Sequence, residues 1–301
     1  MQIVVSGASG LIGTNLVAHL RVAGHEVRRL VRRPVAAADE LTWDPAARRL
    51  DPAVLTSTDA VIHLAGVGIG DKRWTKRYKQ SVLRSRVDGT TTISEAVAAA
   101  EPGPRVLLSM SGAGWYGDTG GHAVDETGQH GVGFLAEVTE AWEAATHPAQ
   151  QAGVRVVRMR TGPVLTAQGG TLGRMLPLAK LGLLSPLGSG RQFISWVSLA
   201  DQLDAIGFLL ASDDISGPVN VTGPQPATMA ELTNTLLRVL RRPRMAPNVP
   251  AFALRAVLGG FADEGVLISQ RVVPGVLSSA GYAFAHETVE HALRWATGRP
   301  R

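Results

Sequence analysis

The segment Gly7-Ala8-Ser9-Gly10-Leu11-Ile12-Gly13 constrains what this chain can fold into more than any other feature. It follows Gln2–Ser6, a short β-branched run that reads as a buried strand. It opens Leu11–Val22, whose apolar residues Leu11, Ile12, Leu16, Val17 and Leu20 recur at helical spacing and stop at Gly24. A strand that turns through spaced glycines into a helix brings free backbone N–H groups and the positive end of a helix dipole to one point. The spacing is G-x-x-G-x-x-G and not the G-x-G-x-x-G of the dehydrogenase fingerprint, but the physics is shared. Glycine permits the tight turn and lets a pyrophosphate come close to the backbone. A nucleotide site is therefore expected at Gly7, Ser9, Gly10, Leu11, Ile12 and Gly13.

Further strands are expected at 26–31, 60–64, 106–110 and 154–159, with helices over 81–100, 134–151 (broken near Pro148) and 229–240. Such alternation indicates a parallel sheet covered on both faces. From about Thr161 the texture becomes rich in glycine and proline. The expected fold is α/β: a Rossmann-type doubly wound parallel sheet over residues 1–165, to which some later elements return, and a smaller C-terminal α/β substrate lobe over 166–301 that includes an extension at 249–301.

Composition removes several classes. No apolar run approaches the roughly 18 residues of a spanning helix. The start MQIVVSGASG reads as a first core strand and not as a signal peptide. The absence of cysteine excludes disulfides and thiolate metal sites, which suits a cytoplasmic protein. The eight histidines are dispersed without ligand spacing, so no metal is expected, and no Gly-x-Ser-x-Gly elbow occurs. The net charge of +5 comes from scattered basic residues without interleaved aromatics. It reads as an arginine-rich surface. The expected partner is a small-molecule substrate, with no nucleic acid and no membrane, and the chain is expected to be a monomer or homodimer.

The end of the second strand separates the two nicotinamide dinucleotides. An acid there would accept from a ribose 2′-hydroxyl, whereas an arginine suits a 2′-phosphate. The sequence has Arg32 and Arg33 and no acid until Asp39. A guanidinium pairs well with phosphate, so NADP(H) is preferred and NAD(H) is the alternative.

These motifs, with HLAG at 63–66, SRVDGT at 85–90, SMSGAGWYGD at 109–118 and RTGPVL at 160–165, resemble those of an extended short-chain dehydrogenase/reductase. WDP at 43–45, KRWT at 72–75, FLAEVTEAWE at 134–143, GSGRQFISWV at 188–197 and the segment 249–274 narrow the resemblance. They are similar to the NAD(P)-dependent epimerase/dehydratase-like subfamily that carries a C-terminal extension of unknown function and is usually described as sugar-nucleotide epimerases. The resemblance implies that His63, Leu64, Ala65 and Gly66 line the adenosine and pyrophosphate path. It places Trp43 beside the adenine or ribose, Thr161, Gly162, Pro163 and Val164 at the nicotinamide, and Ser109 among the cofactor-lining residues. For His63 a purely structural, strand-end role is the competing reading.

The same family acts through a Ser or Thr and a Tyr-x-x-x-Lys pair, whose spacing puts both side chains on one helix face. The pair is missing here: the corresponding helix offers Phe134/Val138 or Leu135/Thr139. Ser111, with Gly112 competing for its position, Tyr116 and Glu137 are the remaining catalytic candidates. Arg174, Arg191 and Gln192 are the candidates for substrate binding. The implied function is an NADP(H)-binding oxidoreductase or epimerase that acts by hydride transfer on a small polar, nucleotide-sugar-like substrate. A non-catalytic NADP(H) sensor or partner-binding protein is the alternative.

Overall fold

The structure is a computed structural model and describes residues 1–299. Its central sheet has seven parallel strands in the order β10-β6-β5-β4-β1-β2-β3. These are β1 (Gln2–Ser6), β2 (Glu26–Val31), β3 (Glu40–Thr42), β4 (Ala60–His63), β5 (Val106–Gly112), β6 (Arg155–Thr161) and, returning late in the chain, β10 (Gly217–Val221). Strand alternation sends Ile3, Val5, Ile62, Leu108 and Met159 to one face and Val4, Val61, Leu107 and Val156 to the other. Both faces are buried, which is why these strands read as nearly continuous apolar runs.

Helices α1 (Leu11–Val22) and α6 (Leu199–Ala211) pack on the first face. Helices α2 (Lys76–Ala99), α3 (Phe134–Ala144) and α4 (His147–Gln151) lie on the second side. The expected helix at 81–100 starts earlier, because the Thr75 hydroxyl accepts from the Tyr78 N–H and caps it. The expected helix at 134–151 divides into α3 and α4, and Pro148 sits in the first turn of α4, where its missing N–H costs nothing.

The rest of the chain adds β7 (Val164–Leu165), α5 (Gly170–Lys180), β8 (Phe193–Ile194), β9 (Val197–Ser198), β11 (Ala227–Thr228), α7 (Met229–Val239), α8 (Ala251–Leu258), α9 (Gly275–Ser279) and α10 (Val289–Ala296). Helix α9 returns to the main sheet, where Leu277 packs on the first face, and most of the others build a smaller lobe. Leu172, Leu176, Trp196, Leu232, Leu236 and Leu293 form its core. A buried leucine stabilises by about 2 kcal/mol. Helix α7 opens on a capping box in which Thr228 and Glu231 satisfy each other's backbone N–H groups. Among the described residues no helix is long and apolar enough to cross a membrane.

The extension after residue 249 runs across the carboxyl ends of the strands. Gln270 donates to the carbonyls of Ala113 and Gly117, Asn220 on β10 donates to the Val273 carbonyl, and Ser195 donates to the Gln270 carbonyl. Further on, the N–H groups of Ala285 and His286 donate to the buried Asp201 at the start of α6. These bonds tie the extension into both parts of the molecule.

Candidate functional site

The chain enters the sheet at β1, runs outward through β2 and β3, and returns to β4 on the other side of β1. The loops after β1 and β4 therefore diverge, and this switch point is where open α/β sheets bind ligands. A cavity of about 910 Å³ opens there. It is lined by Gly7, Ser9 and Gly10 from the first turn, Arg29, Arg32 and Arg33 from the end of β2, Trp43 after β3, and Leu64, Ala65 and Gly66 after β4.

The three glycines have different reasons to be glycine. Gly7 has φ +69°, and a methyl there would lie 2.8 Å from the Ala65 N atom, so the first turn must pass flush against the loop after β4. At Gly13 a methyl would lie 2.1 Å from the Gly7 carbonyl oxygen. Gly10 has φ −79° and would meet only the Gly7 oxygen, at 3.2 Å. Its backbone does not demand glycine, the one contact is far milder than those at Gly7 and Gly13, and it lines the cleft. No side chain caps α1, so the helix N-terminus is available to an anion. Leu11, Ile12 and Gly13 do not line the cleft: Ile12 packs on the core of the first face, and the Leu11 side chain lies against Gly169 and Gly170.

The arginines at the rim are not equivalent. Glu40, buried at the start of β3, receives both Arg33 terminal nitrogens, at 2.9 and 2.6 Å, and lies 3.2 Å from Arg29. The Arg33 fork and the Ala36 N–H hold the Glu40 carboxyl at about 2. Arg29 is forked on Asp39 with two bonds of 2.8 Å, and Arg21 also reaches Asp39. Arg33 is thus already committed to a carboxylate. Arg32 is exposed, lines the cleft and has no carboxylate partner among the described residues.

His63 corrects an expectation. It is fully buried beneath the cleft, with Nδ1 2.6 Å from the Ser6 hydroxyl and its ring edge toward Trp43. Burial pushes its pKa down to about 3, so the ring is neutral. It acts as packing between β1 and β4, and the lining begins at Leu64. Ser109 is likewise buried, with its hydroxyl directed at the Met110 carbonyl, and does not line the cleft. Thr161 contacts the Met110 sulfur, and Gly162 passes so close to the Ser195 carbonyl that any side chain would collide. Pro163 and Val164 continue into the β7–β9 pairing.

The expected catalytic residues are placed otherwise than their chemistry requires. The Ser111 hydroxyl donates to Glu143 at 2.7 Å, and Arg160 forks onto the same carboxylate at 2.8 and 2.9 Å. Arg160 also donates to the Tyr116 hydroxyl at 3.0 Å, which in turn donates to Asn220 at 2.8 Å. All five side chains are buried, and the Arg160 guanidinium stacks on Trp115. Burial pushes the Tyr116 hydroxyl above its ordinary pKa against the opposing pull of Arg160. Ser111 and Tyr116 are therefore members of a satisfied structural network across β5, β6 and β10. Glu137 lies on the exposed face of α3, whose buried face carries Ala136, Val138, Thr139, Trp142 and Glu143.

Leu135 and Thr139, one of the residue pairs that the sequence offers in place of the missing Tyr and Lys, stand close to Gly112 and Gly114. A methyl on Gly114 would lie 3.2 Å from the Leu135 Cβ and 3.4 Å from the Thr139 hydroxyl, and one on Gly112 4.0 Å from that hydroxyl. Leu135 and Thr139 thus face the end of β5 from one side of α3, one turn apart, opposite Gly112. Thr139 spends its hydroxyl on the Leu135 carbonyl, at 2.6 Å.

A pair that the sequence did not single out stands beside this turn. Glu264, in a π-helical turn at Ala262–Leu267 of the extension, accepts from the Leu135 N–H at 2.9 Å. The Lys79 ammonium lies 3.9 Å from Glu264 and over the rings of Trp74 and Phe134. Only the fold could have found it, since Lys79 and Glu264 lie far apart in the sequence.

The three residues expected at a substrate have separate engagements. Arg174 bridges to the Gly70 carbonyl and Asp71. Gln192 is buried and donates to the Leu187 and Val266 carbonyls. Arg191 is exposed in the turn before β8.

Comparison with known proteins gives this arrangement its relatives. The profile of the NAD dependent epimerase/dehydratase family matches residues 3–222, and a domain of unknown function, DUF1731, matches residues 249–296. An epimerase family protein of Mycobacterium tuberculosis, MT2273, is 48% identical over 298 residues, covering 99% of this chain and 98% of that one. The human epimerase family protein SDR39U1, solved with NADPH, superposes with a TM-score of 0.92 at 30% identity, covering 99% of both chains. A nucleoside-diphosphate sugar epimerase from Corynebacterium glutamicum gives 0.81 at 31% identity, covering 99% of this chain and 58% of that one. With a glycine turn at the β1–β4 switch point and an extension strapped over the strand ends, this chain belongs to the NAD dependent epimerase/dehydratase family, in the branch that carries the DUF1731 domain.

Proposed function

We propose that the chain binds NADP(H) in the 910 Å³ cleft and works as an oxidoreductase or epimerase on a small polar substrate. The observation that carries this reading is Gly10: it has ordinary backbone, a side chain there would meet a single atom, the Gly7 oxygen at 3.2 Å, and it lines the cleft beside an uncapped helix. The NADPH bound by the human relative supports the choice of dinucleotide. The first turn would hold the pyrophosphate, Arg32 the 2′-phosphate, and Leu64–Gly66 the adenosine side. When bound, the cofactor supplies hydride transfer.

The chain's own residues bind, orient and exclude water. With no Tyr-x-x-x-Lys pair on α3 and the Ser111 and Tyr116 hydroxyls engaged in the buried network, another group must handle the proton. We assign that role to Lys79, held in place by Glu264. A second reading, a non-catalytic NADP(H) sensor or partner-binding protein, is favoured by the absence of the Tyr-x-x-x-Lys pair.

Calorimetric titration of NADPH and NADH tests the binding reading. Arg32→Ala lowers NADPH affinity about tenfold or more and leaves NADH unchanged, whereas Arg33→Ala affects both alike through the loss of the Glu40 fork. No binding of either dinucleotide by folded protein would overturn it. A carbonyl panel followed by nicotinamide absorbance separates the two functional readings. An enzyme turns over at least one compound and loses that turnover in Lys79→Met with the NADPH Kd intact; a sensor turns over none.

A further inference from the structure

We propose that the smaller lobe docks, through one basic face studded with apolar side chains, onto an anionic lipid bilayer. The inference is independent of the cofactor reading. From Gly170 to Ala200 and from Leu232 to Ala262 the sequence contains no Asp or Glu, yet the two stretches together carry eight arginines and lysines.

The fold joins the ends of both stretches. The turn after α5 and the segment after α7 are zipped together: the Met245 N–H donates to the Gly182 carbonyl at 3.1 Å and Ser185 donates to the Ala246 carbonyl at 2.8 Å. The Val249 N–H donates to the Pro186 carbonyl at 3.0 Å, and the Gly188 N–H donates to the Val249 carbonyl at 2.8 Å. Outward from this seam stand Leu178 (48% exposed), Leu181 (63%), Leu183 (48%) and Met245 (63%), with Phe252 (74%) following at the start of α8. Lys180, Arg241 and Arg242 are exposed among them and pair with no carboxylate among the described residues. The Arg244 guanidinium turns to the Ala246 carbonyl and Asn248.

Two simpler accounts fall short. Lys180 and Arg241 stand at the carboxyl ends of α5 and α7, where cations complement the helix dipole. That explains the charges but not the leucines and the methionine, which a face meant for water alone has no reason to cluster. A nucleic acid would use the cations but would leave the aliphatic groups without a partner. A bilayer interface uses both. Apolar side chains enter the headgroup–acyl boundary, while long basic side chains keep their heads at the lipid phosphates. Of the eight basic residues in the two stretches, Arg174, Arg238 and Arg255 pair with carboxylates from elsewhere, and Lys180, Arg241 and Arg242 are left to this surface.

The test is co-sedimentation of the full-length protein with vesicles of phosphatidylcholine alone and of phosphatidylcholine with an equal part of phosphatidylglycerol. Binding is expected to the anionic vesicles only, and it weakens as salt rises. Each cation contributes about fivefold to partition, so Arg241→Ala with Arg242→Ala lowers it about 25-fold. Leu181→Ser with Met245→Ser lowers partition at every salt concentration while the salt dependence persists. Unchanged circular dichroism and Tm show that the variants fold. No binding of folded protein to the anionic vesicles overturns the proposal. So does retention on duplex DNA that Leu181→Ser/Met245→Ser leaves intact, which would assign the face to nucleic acid. A dimer seen by light scattering and dissolved by Leu181→Ser/Met245→Ser would assign it to a second copy of the chain and equally overturn it.

Discussion

Alanine at Gly10 and alanine at Gly13 are expected to fail in opposite ways, although the two glycines lie within one turn. At Gly13 the new methyl meets only backbone: the Gly7 oxygen at 2.1 Å, and the Ala8 Cα and Gly7 carbonyl carbon at 2.8 Å. None of these can swing aside, so the first turn must deform. Overpacking of this kind costs about 1–3 kcal/mol, and the roughly 1 kcal/mol that alanine gains inside a helix offsets only part of it. At Gly10 the methyl meets one atom at 3.2 Å from a backbone any residue adopts. The loss there is that of alanine at an N-cap, about 1 kcal/mol or less relative to glycine.

For binding the order reverses. A methyl at Gly10 holds an anion away from the helix N-terminus and forfeits charge-assisted hydrogen bonds worth about 1.5–3 kcal/mol, or roughly 10–100-fold in Kd. Scanning calorimetry and NADPH titration on both variants give the two numbers separately. We expect Gly10→Ala to keep nearly the parental Tm and lose the nucleotide. Gly13→Ala is expected to lose Tm first. Wild-type NADPH affinity in Gly10→Ala would refute the reasoning, because the glycine would then serve no ligand.

Two further expectations rest on buried polar groups. His63 has an ordinary pKa near 6.5 in the unfolded chain and about 3 in the fold, so below pH 6.5 the unfolded chain binds the extra proton and stability falls as pH falls. The loss amounts to about 2 kcal/mol between pH 6.5 and 5. It should be absent from His63→Gln in urea titrations at the two pH values; equal slopes in both proteins would show that the histidine is not the group responsible. Tyr116→Phe removes the hydroxyl between Arg160 and Asn220 and should cost about 1–3 kcal/mol. NADPH affinity should be unchanged, and a selective loss of turnover at unaltered stability would restore the tyrosine to the chemistry.

Local sequence was sufficient for everything that local physics controls. The run Gln2–Ser6, the glycine turn and the spacing of Leu11–Val22 specify a strand, a turn and a helix within their own residues. Alternation of such units implies the parallel sheet without reference to distant residues. Short, weakly patterned elements were not legible in this way. β3 has only three residues and is a strand because β2 pairs with it, and β10 completes the sheet although it lies after the lobe has begun.

The site divides along the same line. The lining residues after β1 and β4 could be named from the sequence, since each follows its strand directly. Their partners could not. Arg33 and Arg32 are neighbours in sequence and chemically alike, yet Glu40 takes one and leaves the other, because β3 delivers a buried carboxylate to one side of the loop. Ser111 and Tyr116 carry the right groups for catalysis, but Glu143, Arg160 and Asn220 arrive from α3, β6 and β10 and consume both hydroxyls. A buried hydrogen-bond donor is disposed of by whatever the fold places within about 3 Å of it. Sequence decides which groups a chain owns; only the tertiary structure decides which of them are left free to act.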